Sequence, residues 1–300
     1  MPSIATPYQT KPARSAARSW KPSCGSTTRR LSMHTEGGIS LIEALGLGDA
    51  RLISICGAGG KTTLMFTLAQ MFVDQGKRVL ITTTTKIAKE EAEDNWPAIV
   101  ASTADEVIEL YSEQIPENGG ALIATTGRAK DPIKLGGLAP EEIDLLKESG
   151  AFDRILVEAD GSRRLPLKAP APYEPVVPSL TDLHIIVAGL NGLREPLGEN
   201  TLFRAEIWAE LTGTNLGDPI MPEALAAAVL HKGGLAKGCP PGTRNVLFLN
   251  RSGSLQRLLD AKEVFRKLSD ADGPKPATVV AGWLLPEPGI SEIIDYLENA

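Results

Sequence analysis

"ISICGAGGKTTL", residues 53–64, is the stretch on which the reading of this chain turns. Gly60-Lys61-Thr62 has the form of the working end of a phosphate-binding loop. The usual long loop wants a glycine five positions before its second one, and Ile55 stands there. Taking Gly57 as the first glycine instead gives a compact version, Gly57-x-x-Gly60-Lys61-Thr62, two residues shorter. "RLISIC" (51–56) before it is an apolar run rich in β-branched residues and reads as a buried strand. "KTTLMFTLAQMFVDQG" (61–76) after it reads as a helix, apolar nearly all round and stopped by Gly76. A strand, a glycine turn and a helix N-terminus aim backbone N–H groups at one point, which attracts phosphate. Gly57, Ala58, Gly59, Gly60, Lys61, Thr62 and Thr63 are thus expected to cradle a nucleotide, Lys61 reaching the outer phosphates and the Thr62 hydroxyl sitting on Mg²⁺.

Outward from the loop, strand and helix patterns alternate. Strands are expected at 77–85, 120–125, 153–160, 182–189, 244–250 and 277–283. Helices are expected at 39–47, 139–149, near 203–212 and 222–231, near 254–268 and at 290–300, with a Pro-rich segment at 165–178. The strands are continuous apolar runs, the mark of a mainly parallel sheet covered on both faces by helices. The fold class expected is therefore α/β and P-loop NTPase-like, with residues 36–300 as a single nucleotide-binding domain.

Two further stretches bring chemistry to the loop. "VLITTTTK" places Thr82–Thr85 and Lys86 at the carboxyl end of the second strand, the edge where open α/β sheets hold ligands. "ILVEAD" ends a buried strand in Glu158 and Asp160, two apart and so on one face, as Mg²⁺ coordination or water activation requires. Arg163, Arg164 and Lys168 follow on a Pro-stiffened loop and form a candidate clamp for phosphate or an acidic substrate, with Arg163 and Arg164 nearest the acids. "NVLFLNRSG" resembles the strand on which GTP-binding proteins carry Asn-Lys-x-Asp. Asn250 fits a base-facing role there, but Gly253 replaces the aspartate, which leaves ATP and GTP both open. Arg204, Glu206, His184 and His231 receive no role.

Composition narrows the classes. Apolar content of 42% and a net charge of −6 describe a soluble globular chain, with no apolar run long enough to span a membrane. Six basic residues and no acid lie in residues 1–35; without them 25 basic residues face 37 acidic ones, a net of −12. Such an acidic body argues against nucleic acid as a partner. The tail, rich in Ser, Arg and Pro, is expected to be a disordered basic extension rather than an organelle-targeting peptide. Cys24, Cys56 and Cys239 are far apart, as are three histidines, which disfavours a disulfide framework or zinc site and fits a reducing cytoplasm.

As a set, "SLIEALGL", "LISICGAGGKTTLMFTLA", "GKRVLITTTTKI" and "LVEADGSRRLPLKAPAPYEPVVP" resemble the YqeC family, with "LFRAEIWAELTG", "GGLAKG" and "VLFLN" extending the likeness over roughly residues 39–250. The resemblance implies a nucleotide-binding accessory protein, a Mg-dependent NTPase, for selenium-dependent molybdenum hydroxylases and the maturation of their cofactor. Partners implied are the nucleotide and that hydroxylase or its cofactor-assembly proteins. On this reading Lys61, Glu158, Asp160 and Arg163 carry catalysis, Thr62, Glu158 and Asp160 hold the metal, and Lys86 and Asn250 add to the nucleotide site. Two alternatives stay open. The short loop also has the spacing of the loop in Mur-type ATP-dependent amide ligases, and a nucleotide-gated adaptor would need no turnover at all.

Overall fold

The computed structural model describes residues 39–88, 96–115, 119–127 and 134–295. The basic extension expected over 1–35 lies outside the described residues. α1 (Leu41–Ala44) opens on a capping box between Ser40 and Glu43. β1 (Leu52–Gly57) runs through the glycine loop into α2 (Lys61–Asp74) and on to β2 (Arg78–Thr83). β3 (Lys86–Ala88), β4 (Ala98–Val100), α3 (Ala104–Gln114), β5 (Gly120–Thr125), β6 (Lys134–Gly136) and α4 (Pro140–Ser149) lead to β7 (Arg154–Glu158) and the two-residue β8 (Leu167–Lys168). β9 (Leu183–Gly189), β10 (Leu202–Phe203), α5 (Ala205–Thr212), α6 (Pro222–Leu230), β11 (Arg244–Asn250), α7 (Leu255–Asp270), β12 (Thr278–Trp283) and β13 (Gly289–Asp295) complete the described chain.

Nine strands form one sheet in the order β13-β12-β11-β9-β1-β7-β2-β5-β4. Every pairing in it is parallel except that of β13 with β12. Along each strand the side chains alternate between two apolar layers. Ile53, Ile55, Ile81, Leu156 and Val187 pack beneath α1 and α2 with Leu64, Leu68 and Phe72. Leu52, Leu80 and Val157 face the opposite layer, shared with Val107 of α3 and Ile143 and Leu146 of α4. Cys56, Ile186, Leu247 and Val279 face that same side farther along the sheet, under Trp208, Leu225, Val264 and Phe265. With both faces covered, the central strands β1, β7 and β9 are buried along nearly their whole length, as their continuous apolar runs foretold. Each fully buried Leu, Ile or Phe contributes ~1.5–3 kcal/mol, so the layers fix the strand ends rigidly.

β1 lies between β7 and β9, and the chain leaves its carboxyl end for β2 on one side while β9, β11 and β12 extend on the other. The strand order therefore diverges beside β1, and the carboxyl edge at such a divergence is the position where these sheets accept ligands.

The expected helix at 290–300 is not what forms: residues 289–295 make the antiparallel strand β13, and 296–300 lie outside the described residues. The register pairs Gly282 with Ile290 and Ala281 with Glu292, skipping Ser291. This irregularity brings Ile290 and Ile293 to the α1/α2 layer while Ile294 meets the other. A bulge therefore reproduces the three-residue spacing of a helical face in an edge strand. Among the described residues, no helix is long and apolar enough to cross a membrane.

Candidate functional site

β1 delivers Gly57 to the carboxyl edge, and the turn that follows needs glycine at two places in particular. Gly59 has φ +86, and a Cβ there would sit 2.5 Å from Gly189 Cα and 2.6 Å from the Pro166 carbonyl oxygen. Gly60 has φ +131, and its Cβ would lie 2.3 Å from Asn250 Nδ2. The loop thus presses against the end of β9 on one side and the end of β11 on the other. Ala58 N–H donates to the Val187 carbonyl at 2.9 Å. Gly60, the N-cap of α2, has no side chain to cap the helix, whose first-turn N–H groups and dipole face the carboxyl edge of the sheet.

Lys61, almost wholly buried, donates from Nζ to the Gly57 carbonyl at 2.8 Å. The same ammonium lies 3.5 Å from Glu158 Oε1 and 3.3 Å from Asp160 Oδ1. Burial works against its charge, but Asp160 and Glu158 outweigh burial and hold its pKa above the ordinary lysine value. Thr62 Oγ1 donates to Glu158 Oε2 at 2.8 Å. Asp160 accepts the Gly57 N–H with both oxygens at 3.1 Å. One carboxylate therefore meets the loop's hydroxyl, and the next carboxylate anchors the loop's first amide.

Behind the acids lies a second layer of charge. Arg163 and Arg164, both with left-handed backbone, turn the chain from β7 towards β8. Lys168 then points inward: its Nζ donates to Asp160 Oδ2 at 2.8 Å, the Gly161 carbonyl at 2.8 Å and Glu174 Oε2 at 2.6 Å. Arg204 grips Glu174 with two hydrogen bonds, at 2.7 and 2.9 Å. Burial opposes the charge on Glu174, yet Arg204 and Lys168 keep its pKa below the usual carboxylate value. Phe203 stacks under this group, with the Arg204 guanidinium 4.2 Å and that of Arg163 4.6 Å from its ring centroid.

The YqeC family model matches residues 53–206, a segment that contains the loop, both acids of β7 and the whole Lys168–Glu174–Arg204 group. The chain belongs to the YqeC family. An "Uncharacterized protein YqeC" of Escherichia coli (strain K12) is 32% identical over 241 residues, covering 78% of this chain and 86% of that protein.

In this YqeC chain, Gly57–Thr63, Glu158, Asp160 and Asn250 come together at one edge of the sheet. Asn250 spends both ends of its amide inside the protein, donating to the Gly59 carbonyl at 2.7 Å and accepting the Arg251 N–H at 2.8 Å. The threonines after β2 serve the backbone: Thr82 donates to the Ala124 carbonyl, Thr83 to that of Glu158 and Thr84 to that of Val176. Lys86 is exposed, on β3, whose backbone pairs with β6. Arg163 is exposed apart from its stacking on Phe203. Sequence reasoning did not assign Glu174 and Arg204, which the fold gathers from separate segments. Nor did it find the contact of Cys56 Sγ with His184 Nε2, 3.2 Å, directly beneath the loop. Burial drives the Cys56 pKa well up and that of His184 down to about 4, so both are neutral there.

Proposed function

We propose that this YqeC-family chain binds a nucleoside triphosphate with Mg²⁺ at the carboxyl edge beside β1 and hydrolyses it, using a shortened P-loop of the NTPase type. The observation that carries the reading is the convergence of Lys61 and the Thr62–Glu158 pair at an uncapped helix N-terminus. Lys61 would exchange its carboxylate contacts for the outer phosphates, while the N–H groups of 59–63 hold their oxygens. The donor set fits Mg²⁺: a hydroxyl and a carboxylate already 2.8 Å apart are hard oxygen ligands. Among the described residues no three His, Cys, Asp or Glu form a metal cage, as suits an ion completed by phosphates and water. Mg²⁺ at that point would neutralise charge on the transferred phosphoryl group.

The contacts favour Glu158 over Asp160 as the metal-side carboxylate. Asp160 is committed to Gly57 N–H, Lys61 and Lys168, whereas Glu158 meets the loop hydroxyl. Asn250 supports the loop rather than reading a base, so ATP and GTP are equal candidates. From the family resemblance we place this nucleotide step in the maturation of selenium-dependent molybdenum hydroxylases. Calorimetry with Mg-ATP and Mg-GTP tests the core of the proposal. Lys61→Ala should weaken binding by about tenfold or more, since hydrogen bonds to charged groups are worth ~1.5–3 kcal/mol. Glu158→Gln should remove the dependence of binding on Mg²⁺. Unchanged affinity in Lys61→Ala would overturn it.

A further inference from the structure

We infer that Lys168 is the residue that frees Lys61 for the nucleotide: it is the resident counter-ion of Asp160, present so that Lys61 can leave. The inference rests on the proposal that the loop binds nucleotide phosphates. As described, three cations face three carboxylates in one buried group: Lys61, Lys168 and Arg204 against Glu158, Asp160 and Glu174. A phosphate chain arriving with Mg²⁺ draws Lys61 away to the phosphates and engages Glu158 with the metal. Asp160, 2% exposed, stays behind holding the Gly57 N–H. A buried carboxylate stripped of its cation is costly. Here it is not stripped, because Lys168 remains at 2.8 Å and is itself only 1% exposed.

The count still balances after the exchange. Lys168 and Arg204 face Asp160 and Glu174, two against two, and Arg204 holds Glu174 through both oxygens without help. Lys168 donates to Asp160, Glu174 and the Gly161 carbonyl together, so all three ammonium hydrogens have acceptors and nothing invites it towards the phosphates. Without Lys168, Lys61 would be the sole cation on Asp160 among the described residues, and phosphate would have to compete for it. Lys168 is thus a positioning residue that acts through Asp160.

Calorimetric titration of the full chain with Mg-ATP and with Mg-GTP tests this. Lys168→Met should raise the Kd about tenfold or more, because removing one partner of a buried ion pair is far costlier than the pair is worth. Lys168→Arg, which keeps the charge, should restore most of the affinity. Neutralising Asp160 should make Lys168 dispensable, so Asp160→Asn with Lys168→Met should bind within about threefold of Asp160→Asn alone, a strong non-additivity. A role in folding alone would lower stability in urea unfolding while leaving the Kd of the folded fraction unchanged. If Lys168→Met does not fold, the comparison in the Asp160→Asn background decides. Wild-type affinity in Lys168→Met, or a loss undiminished by Asp160→Asn, would overturn the inference while the nucleotide proposal stands. Absence of binding by the wild-type protein would overturn both.

Discussion

Asn250→Ala separates two roles for the asparagine at the end of β11: reading a base or bracing the loop. Asn250 is 3% exposed and makes two short hydrogen bonds, one to the Gly59 carbonyl and one from the Arg251 N–H. At ~0.5–1.5 kcal/mol net for each, their loss should destabilise the fold by ~1–3 kcal/mol. A chain of this size loses ~2–4 °C of Tm per kcal/mol, so melting should fall by several degrees. Releasing the Gly59 carbonyl also frees the peptide between Gly59 and Gly60, whose N–H belongs to the proposed phosphate cradle. Mg-ATP and Mg-GTP should therefore weaken together, by about tenfold if ~1.4 kcal/mol of loop ordering is lost. Gly60→Ala supplies the internal control. Its Cβ would strike Asn250 Nδ2 at 2.3 Å, and its φ of +131 adds ~1–3 kcal/mol of strain whatever its neighbours. In the Asn250→Ala background the collision disappears and only the strain remains, so urea unfolding should show the double variant more stable than the sum of the singles. A loss confined to one of the two nucleotides would refute the bracing argument, since bracing cannot distinguish bases.

His184 predicts an acid dependence. Its pKa falls from 6.5 to about 4 through burial, so below pH 6.5 the unfolded chain takes a proton that the folded chain refuses. Stability should be whole above pH 6.5 and decline by ~3 kcal/mol as pH falls to 4, at ~1.36 kcal/mol per unit. The stability gap between wild type and His184→Gln should narrow over that range in urea titrations; a constant gap would refute it. Ile55→Gly, which would write the long glycine pattern into the sequence, should only damage the protein. Ile55 is fully buried, so unfolding assays should show a loss of ~3–5 kcal/mol, with nucleotide affinity unchanged in the folded fraction.

Much of the architecture is legible because buried parallel strands leave an unmistakable mark. "RLISIC", "DLHIIVAG" and "RNVLFLN" are apolar on both faces, and all three enter the central sheet. Failures occur where the pattern is local or too short. β3, β4 and β6 have three residues each, which cannot show a period. α3 did carry a signal, the Thr103–Glu106 capping box, though its apolar face is modest. β13 misleads because its bulge spaces isoleucines like a helix. In the site, Glu158 and Asp160 could be placed by strand parity alone. The inward turn of Lys168 could not, because it depends on Glu174 and Arg204, whose meeting is a property of the fold.

The short loop follows from the same dependence on distant segments. Gly57 is the last residue of a strand in register with Val187, and a Cβ on it would lie 2.2 Å from the Val187 carbonyl oxygen. Gly59 is equally hemmed in by Gly189 and Pro166, while Gly189 N–H donates to the Pro166 carbonyl and seals that flank. Backbone from β9 and from the segment before β8, with the Asn250 side chain at the end of β11, therefore walls in the loop proposed as the phosphate cradle. Ile55, for its part, belongs to the hydrophobic layer beneath α2. The close fit of the loop therefore depends on the ends of β9 and β11, which contact Gly59 and Gly60. It follows that the glycines of 57–60 answer to steric contact with named neighbours, and that loop and neighbours must be altered together for the cradle to survive.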